Sequence, residues 1–321
     1  MKFIAGIFIL MSSLNAFSQA TEAAAVSSVG ALVEGLASVN AAPDLCAKTG
    51  DVLRDHKWRA GAPDCEARGA KEPPYEVVAV DSSTYVLRQN KCLTFEAPFV
   101  YLYVGTKKAF LFDTGATYDD LLRKWVDDTL EKIPGGKDLE LVVAHSHSHG
   151  DHTAGDSTFR NRPNTQIVGL APDEVAGAFG IKDWPKGQGS LDLGGRKLDI
   201  LAIPGHEASS IAVYDSKTKN MLTGDTFYPG NIFLSQATFP EFKDSIDRLH
   251  TFTQTHPVHD FLGAHVEMSA ETGKDYSYGS TYQPNEHRLP LTQENLDELQ
   301  NYLSGNPPAQ EKVFSDLQLT L

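Results

Sequence analysis

The chain has 321 residues, which is enough to bury a large core as one sizeable domain or two small ones. Its 42 acidic residues outnumber the 28 basic ones and give a formal net charge of -14. Because this charge repels polyphosphate backbones and anionic membrane surfaces, nucleic acid is not the expected partner.

The first part of the chain, residues 1–18, is predicted to be an export signal. A short basic head precedes an apolar run that is too brief to span a bilayer as a stable anchor. Small residues follow at Ala16 and Ser18, with the spacing that signal peptidase requires for cleavage before Gln19. We therefore expect a periplasmic or secreted protein with no stable membrane anchor after cleavage.

Residues 19–74 are predicted to be an N-terminal extension, first rich in Ala, Ser and Val and then in Pro, Gly and Asp. The only cysteines are Cys46, Cys65 and Cys92, and in an exported chain two of them can form a disulfide. Three single pairings are open. We favour Cys46 with Cys65, because both lie in this weakly patterned region, which a disulfide would stabilise.

From residue 75 onward the hydrophobic pattern sharpens and predicts one domain over residues 75–321. The predicted strands cover 75–80, 84–88, 99–104, 109–112, 139–143, 166–169, 197–203, 210–214 and 220–223, with a strand end at 261–263. The predicted helices cover 118–133, 172–179, 242–252 and 293–303. This order, β-rich and then β and α interleaved, suits two sheets that face each other with helices outside.

A histidine-rich loop follows the predicted strand 139–143. Ligands of α/β sheets are usually held at this carboxyl edge. In the stretch His147-Ser148-His149 an extended backbone would point both imidazoles to one side, as a pair of ligands for one borderline-soft cation.

The next residues of this loop offer ligands for a second cation. Asp151 and His152 would supply an oxygen and a nitrogen after a turn of the chain, which Gly150 would make without a Cβ clash. His145 also begins an imidazole pair, with His147, but only the pair that starts at His147 is followed two residues later by an Asp-His step. We therefore assign His145 to structure or to the surroundings of the ligands.

Three later β-runs each end in a metal-capable side chain beside a glycine-containing turn. These side chains are His206, Asp225 and His265. A small residue at such a turn lets the backbone approach a site closely.

Taken together, these motifs resemble those of the metallo-β-lactamase superfamily, in the same order, over roughly residues 75–265. They are His147-x-His149-x-Asp151-His152, Pro204-Gly205-His206, Thr223-Gly224-Asp225-Thr226 and Gly263-Ala264-His265. The resemblance implies an α/β fold, an αββα sandwich of two mixed β-sheets flanked by helices.

The resemblance also implies a site for two divalent metal ions. By analogy the first metal would be held by His147, His149 and His206. The second would be held by Asp151, His152 and His265. Asp225 would bridge both, and Asp113 would lie behind the ligands and orient one of them. Zn²⁺ is the leading metal because nitrogen ligands dominate, and Fe or Mn would tolerate the same set.

The expected activity is hydrolysis of a small-molecule ester, lactone or thioester by hydroxide that the two metals activate, with Asp151 or a bound water moving the proton. A carboxylate at Asp225, where some lactamases use cysteine, resembles glyoxalase II and lactonases. β-Lactam hydrolysis is the alternative, because the periplasm is where it would be useful. A mononuclear-iron sulfur dioxygenase and a non-catalytic metal-binding protein are alternatives of other classes.

The Tyr/Gly/Ser-rich segment after His265 is a candidate for the substrate pocket. We expect Tyr278 or Tyr282 to line that pocket. An ordinary surface loop with aromatic packing is an equally good interpretation of this segment.

Overall fold

The computed structural model describes residues 52–68 and 71–321. The predicted signal at 1–18, most of the predicted extension and Cys46 lie outside the described residues. Among the helices of the described residues, none has the length and apolar character needed to cross a membrane.

Six strands form the first sheet in chain order. They are β1 (Tyr75–Asp81), β2 (Thr84–Gln89), β3 (Phe99–Val104), β4 (Lys108–Phe112), β5 (Glu140–Ala144) and β6 (Thr165–Ile167). Strands β1 to β4 form an antiparallel meander, and β5 and β6 then add in parallel. This change to parallel pairing brings the ends of β4 and β5 to the same edge.

The second sheet also has six strands, in the order β13-β12-β10-β9-β8-β7. They are β7 (Gln188–Asp192), β8 (Lys197–Ala202), β9 (Ile211–Asp215), β10 (Met221–Gly224), β12 (Phe261–Gly263) and β13 (Pro290–Leu291). Only β10 and β12 pair in parallel. A third, small sheet is formed by β11 (Asn231–Phe233), β14 (Lys312–Val313) and β15 (Gln318–Thr320).

Eight α-helices lie in the described residues. They are α1 (Val52–Asp55), α2 (Cys65–Arg68), α3 (Leu121–Lys132), α4 (Gly150–Thr153), α5 (Asp156–Phe159), α6 (Pro172–Phe179), α7 (Phe239–Thr253) and α8 (Gln293–Ser304). A 3-10 turn, Gly136–Asp138, follows α3. The predicted start of α3 at Tyr118 was three residues too early, since Tyr118 is exposed and the carboxylate of Asp119 accepts a hydrogen bond from the amide of Leu121.

The core has three parts, which fill the spaces between four layers. Side chains of both large sheets, such as Tyr101 and Ile200, pack against each other in the middle. Helix α3 covers the outer face of the first sheet through Trp125 and its neighbours. Helices α7 and α8 cover the outer face of the second sheet through Phe242, Leu299 and others. The predicted αββα sandwich of two mixed sheets is confirmed.

The predicted elements are confirmed where the hydrophobic run is long, and five strands were missed. These are β7, β11, β13, β14 and β15, which have two to five residues each. Strand β7 reads Gln-Gly-Ser-Leu-Asp and carries little apolar signal. Such strands form because a neighbour offers a free edge, and a local pattern does not report that edge.

The expected Cys46–Cys65 disulfide is wrong. Cys65 is bonded to Cys92, with Cα atoms 5.0 Å apart. Cys92 lies in the turn after β2, where its amide donates to the side chain of Asn90. Weak patterning near Cys46 and Cys65 therefore carried no information about which cysteines the fold brings together.

Residues 52–68 pack onto the rest of the described chain. Leu53 and Trp58 are part of the core between the sheets, and Arg54 forms an ion pair with the buried Asp260 at 2.6 Å. The backbone at Gly61 pairs with Tyr282 in an isolated antiparallel bridge. The domain boundary at residue 75 stays a prediction. A chain shortened to begin at residue 75 would lose these contacts.

Candidate metal centre

The histidine-rich loop leaves β5 as a bend and then enters α4. Residues 146–148 are bent, so the extended backbone predicted for His147-Ser148-His149 is wrong, although the two imidazoles do converge. Gly150 begins α4 without a positive φ, and a Cβ there would meet no atom within 4 Å. The expected need for glycine at 150 is therefore wrong as well.

The first predicted ligand group is brought together as expected. Nδ1 of His149 lies 2.9 Å from Nε2 of His147 and 3.2 Å from Nε2 of His206. His147 is buried, whereas His149 is exposed and forms the rim of the group. Three ring nitrogens thus converge from three directions onto one small volume.

The second predicted group is also assembled. Oδ2 of Asp151 lies 3.1 Å from Nε2 of His152 and 3.2 Å from Nε2 of His265. The two histidine nitrogens are 3.4 Å apart. Both rings are buried, and Asp151 is the partly exposed member of the group.

The carboxylate of Asp225 lies between the two groups. Its Oδ2 is 3.9 Å from Nε2 of His147 and 3.6 Å from Nε2 of His152, and its Oδ1 is 3.5 Å from Nε2 of His265. Oδ1 is buried and has no hydrogen-bond partner among the described residues. A buried, unpartnered carboxylate oxygen is costly unless a cation occupies the space that it faces.

The spacing of these atoms suits metal coordination. Tetrahedral zinc with nitrogen ligands about 2.0–2.1 Å away places neighbouring ligand atoms about 3.3 Å apart. The ligand atoms of each group all lie within 4.8 Å of one another. The residues present therefore fit two divalent cations with Asp225 able to reach both.

The ring nitrogens on the far side of these histidines are held by other parts of the chain. Nδ1 of His206 donates to the carbonyl of Phe233 at 2.9 Å, and Nδ1 of His265 donates to the carbonyl of Glu96 at 2.9 Å. The hydroxyl of Ser146 lies 3.1 Å from Nδ1 of His147. Such partners fix the tautomer and the direction of a ligand imidazole.

Asp113 occupies the predicted place behind the ligands. The residue is fully buried at the end of β4, and its φ is 69°, a left-handed value that is rare for a residue with a side chain. Oδ2 lies 3.0 Å from Nδ1 of His152, and Oδ1 accepts from the amide of Ser146 at 2.6 Å. Asp113 thus fixes both a candidate ligand and the loop that carries it.

The pKa values of histidines are shifted in opposite directions in the two ligand groups. Burial and neighbouring imidazoles lower the pKa of His147 well below its usual value. Burial acts the same way on His265, but Asp225 and Asp151 outweigh it and raise the pKa of His265 to about 9. Burial likewise opposes ionisation of Asp225, yet the imidazoles of His265 and His152 hold its pKa far below the usual range.

Both groups draw residues from both sheets. His147 and His149 follow β5 of the first sheet, whereas His206 follows β8 of the second. In the other group, Asp151 and His152 come from the first sheet, and Asp225 and His265 follow β10 and β12 of the second. The candidate centre therefore exists only where the two sheets meet.

Glycines before the later ligands allow close packing, as expected from their motifs. A Cβ at Gly205, whose φ is 142°, would lie 2.5 Å from Cα of Phe242 on α7. A Cβ at Gly224, whose φ is 53°, would lie 2.6 Å from Cβ of Ser146. A side chain at either position would displace the backbone that carries a candidate ligand.

The other histidines lie outside both groups. His145 is buried with Nε2 2.8 Å from Oδ1 of Asp156, as its assignment to structure predicted.

The two candidate pocket residues lie in different places. A cavity of about 190 Å³ opens beside the centre, and Tyr278 forms part of its wall. Tyr282 is not among the residues that line it, and its backbone pairs with Gly61.

Several partners of the site were missed in the sequence. The carbonyls of Phe233 and Glu96 hold ligand imidazoles, but a backbone carbonyl has no sequence signal. Glu207 is a further partner of this kind. Its Oε2 accepts from the amide of Ser209 at 2.8 Å and, weakly, from the amide of Ser148 at 3.4 Å, so that it ties the two ligand-bearing loops together. Its place directly after His206 was the available signal.

The amino-acid sequence is similar to those of proteins that are named for an enzymatic activity. A "Hydroxyacylglutathione hydrolase" of Dechloromonas aromatica (strain RCB) is 27% identical over 180 residues, 54% of this chain and 62% of the relative. One of Pseudomonas entomophila (strain L48) is 28% identical over 149 residues, 44% of this chain and 54% of the relative. The chain thus spans between one half and two thirds of the length of these curated relatives.

Among solved structures, a metallo-beta-lactamase from Pontibacter korlensis is similar with a TM-score of 0.45 and 17% identity, over 60% of this chain and 91% of that one. The family model for the "Metallo-beta-lactamase superfamily" matches residues 93–267, a range that contains both ligand groups. The chain belongs to the metallo-β-lactamase superfamily.

Proposed function

We propose that this protein is a metal-dependent hydrolase with a dinuclear centre that acts on ester, lactone or thioester substrates. The observation that carries the proposal is the Asp225 carboxylate, which lies between two ligand groups with one buried oxygen unpartnered among the described residues. The relatives named hydroxyacylglutathione hydrolase support a thioester among the substrate classes.

The residues of the two groups would hold two divalent cations, for which zinc is the leading candidate because five of the donors are imidazoles. When bound, two such ions lower the pKa of a water and polarise the carbonyl of the substrate. The carbonyls of Phe233 and Glu96, with Asp113, keep the ring nitrogens of His206, His265 and His152 aimed at the centre.

Asp151 is the residue proposed to move the proton. Its Oδ2 lies between His152 and His265, and although burial opposes it, hydrogen bonds from these two residues hold the pKa of Asp151 far below the usual range. The carboxylate is therefore ionised at neutral pH, as a proton acceptor must be, and the two rings that hold its pKa low are those that would lose their protons to metal. It is also the partly exposed member of its group, so the proton can pass from it to solvent.

Metal content and a substrate panel test this proposal together. We expect two zinc ions per chain, and turnover of lactones, thioesters or aryl esters in preference to phosphodiesters and β-lactams. His206→Ala and Asp225→Ala should each lose metal and nearly all turnover while the circular dichroism spectrum is retained. Full turnover in either variant, or a protein that takes up no metal, would contradict the proposal.

Two outcomes of the same panel would favour the other candidate activities. Preferential turnover of β-lactams would make the protein a β-lactamase. One iron per chain with oxygen consumption on a persulfide would point to a dioxygenase.

Export is part of the proposal. The disulfide between Cys65 and Cys92 supports an oxidising compartment, since such bonds persist mainly outside the cytosol. Amino-terminal sequencing of the protein from a periplasmic or culture fraction should begin at Gln19. Recovery only from the cytosol with Met1 retained would contradict export.

A further inference from the structure

The cavity beside the candidate centre carries an unusual lining. Six of its side chains, Lys91, Glu96, Glu267, Asp275, Tyr278 and Gln283, define what we call the carboxylate cavity. Its volume is about 190 Å³, enough for a short alkyl chain with a polar end group.

The carboxylate cavity adjoins the centre through its own wall. The carbonyl of Glu96 accepts from His265, and the carbonyl of Phe233, another wall residue, accepts from His206. One histidine from each ligand group is thus held by the wall of the cavity. None of the candidate ligands lines the cavity, so the part of a substrate that reaches it is an end group some distance from the reacting carbonyl.

Negative charge dominates the lining. Glu96, Glu267 and Asp275 face a single ammonium group, that of Lys91. Nζ of Lys91 lies 3.6 Å from Oε1 of Glu286, which also forms a bidentate pair with Arg88. Glu286 is thus shared by two cations, and the three carboxylates of the lining outnumber the one ammonium group that faces them.

The three carboxylates keep free hydrogen-bonding capacity. Within residues 52–68 and 71–321, none of them forms a salt bridge with a basic side chain. Glu267 accepts through Oε2 from the amide of Asn231 at 2.7 Å and from the hydroxyl of Tyr228 at 3.1 Å. Oδ2 of Asp275 accepts only a long bond from the side chain of Asn231 at 3.3 Å. Acceptors outnumber donors around this space.

Gln283 gives a second and independent sign that a ligand belongs here. The residue lines the cavity and is 5% exposed, yet its Oε1 has no hydrogen-bond partner in the described part of the chain. A buried amide oxygen without a partner costs on the order of 1–3 kcal/mol. Oε1 has almost no accessible surface, so a turn of the amide is needed to present it to the cavity, where a donor on a ligand would remove that cost.

Aromatic rings complete the wall. Phe95 and Tyr278 pack edge to face, with ring centroids 5.0 Å apart, and both line the cavity. The faces of such rings attract cations. Carboxylates, an unpartnered amide oxygen and aromatic faces share one preferred ligand, a cation that carries N–H donors.

We propose that the carboxylate cavity binds a cationic end group of the substrate, a primary ammonium or guanidinium carried a short alkyl chain away from the bond that is hydrolysed. Cation binding follows from the lining of the cavity alone. The claim that this cation is part of a hydrolysed substrate rests on the proposed hydrolase function. A quaternary ammonium fits less well, since it has no N–H to offer to Gln283 and the carboxylates.

Calorimetric titration of the zinc-loaded protein tests the cavity without turnover. N-Butylguanidinium is the probe, because a guanidinium does not ligate zinc, and N-butylurea is its neutral match. At pH 7 and low salt we expect the guanidinium to bind at least about tenfold more tightly than the urea. Equal binding of the two would overturn the proposal, as would tighter binding of butanesulfonate, which would show that Lys91 sets the charge preference.

Matched variants locate the binding. Glu96→Gln and Asp275→Asn should each weaken guanidinium binding about three- to tenfold and leave urea binding unchanged, as expected for loss of one partly solvated charge. The control is Glu298→Gln, which removes an exposed carboxylate from α8 and should change neither. Zinc content and melting temperature are checked for all three. Guanidinium binding that resists both cavity variants would place the ligand elsewhere.

Turnover separates this proposal from the proposed function. The substrates are 6-aminohexanoyl and hexanoyl thioesters of the same thiol. We expect a kcat/KM ratio that favours the amino substrate in the native protein and falls toward one in Glu96→Gln. If neither thioester nor any lactone or aryl ester of the panel is hydrolysed while the guanidinium binds, the hydrolase proposal fails and the cavity stands. If both thioesters are hydrolysed equally and the guanidinium does not bind, the cavity proposal fails and the hydrolase proposal stands.

Discussion

Asp113 shows how one residue supports the centre without taking part in coordination. Its two carboxylate oxygens contact different elements, one the ring of His152 and the other the amide of Ser146. The left-handed φ of 69° aims the side chain at both. Backbone in this region costs free energy, which the two buried contacts offset.

Asp113→Asn is the informative substitution, because asparagine keeps the shape and tolerates the positive φ. We expect metal affinity to fall about 10- to 100-fold, since an amide is a weaker acceptor for the imidazole and can present an N–H instead. Competition with a chromogenic chelator measures the affinity. Asp128→Asn on the exposed face of α3 is the control and should match the native protein. Unchanged affinity in Asp113→Asn would remove Asp113 from the support of the site.

The charge state of the ligand histidines predicts proton release on metal binding. Asp225 and its neighbours outweigh burial and raise the pKa of His152 well above 6.5 and that of His265 to about 9, so both rings are protonated at pH 7 without metal. A ligand imidazole must be neutral, so zinc should displace about two protons at pH 7 and fewer as the pH rises through 9. Calorimetry in buffers of different ionisation enthalpy measures this number. Release of no protons at pH 7 would contradict these charge states.

Among the elements, the turn between β8 and β9 depends strictly on one small residue. Gly205 combines a φ of 142° with close contact to α7, so alanine there is both strained and crowded. Gly205→Ala should destabilise the fold by at least about 2 kcal/mol and reduce the metal held by His206. Urea unfolding and metal analysis measure the two effects.

Gly150→Ala is the matched control for that turn. An alanine Cβ at the start of α4 meets nothing within 4 Å, so stability should change by less than about 1 kcal/mol. Equal losses in the two variants would show that glycine at 205 has no special role.

The disulfide ties α2 to the turn after β2, and the two cysteines are 27 positions apart in sequence. Cys92→Ser should lower the free energy of unfolding by about 3 kcal/mol, as expected for a loop of this length. Peptide mapping without reductant should recover Cys65 with Cys92, and Cys46→Ser should leave that peptide unchanged. Recovery of Cys46 with Cys65 would restore the pairing that the sequence favoured.

For the molecule as a whole, bound metal should stabilise the contact between the sheets, because both ligand groups contain residues from each. A ligand at one thousand times its dissociation constant stabilises by about 4 kcal/mol. Removal of metal with a chelator should therefore lower the melting temperature by several degrees, and added zinc should restore it. His206→Ala with Asp225→Ala should show no such difference. A melting temperature that does not respond to the chelator would mean that no metal links the sheets.

Across the whole molecule, the sequence predicted the metal-ligand residues better than it predicted the short strands at the edges of the sheets. The ligand residues could be found because spacing and residue type specify coordination, as at His147 and His149. Strands such as β7 and β11 could not, since they depend on an open neighbouring edge. The same holds for the partner of Cys65 and for the carbonyls of Glu96 and Phe233, because they depend on contacts between residues far apart in sequence.

The arrangement of the ligands across two sheets also sets an order of events in folding. After β5 and α4 have formed, the chain holds His147, His149, Asp151 and His152, but neither group is complete. His206, Asp225 and His265 arrive only when β8, β10 and β12 have paired and docked on the first sheet. Tight capture of metal must therefore follow the assembly of both sheets, and an exported chain would acquire its metal in the compartment where it folds.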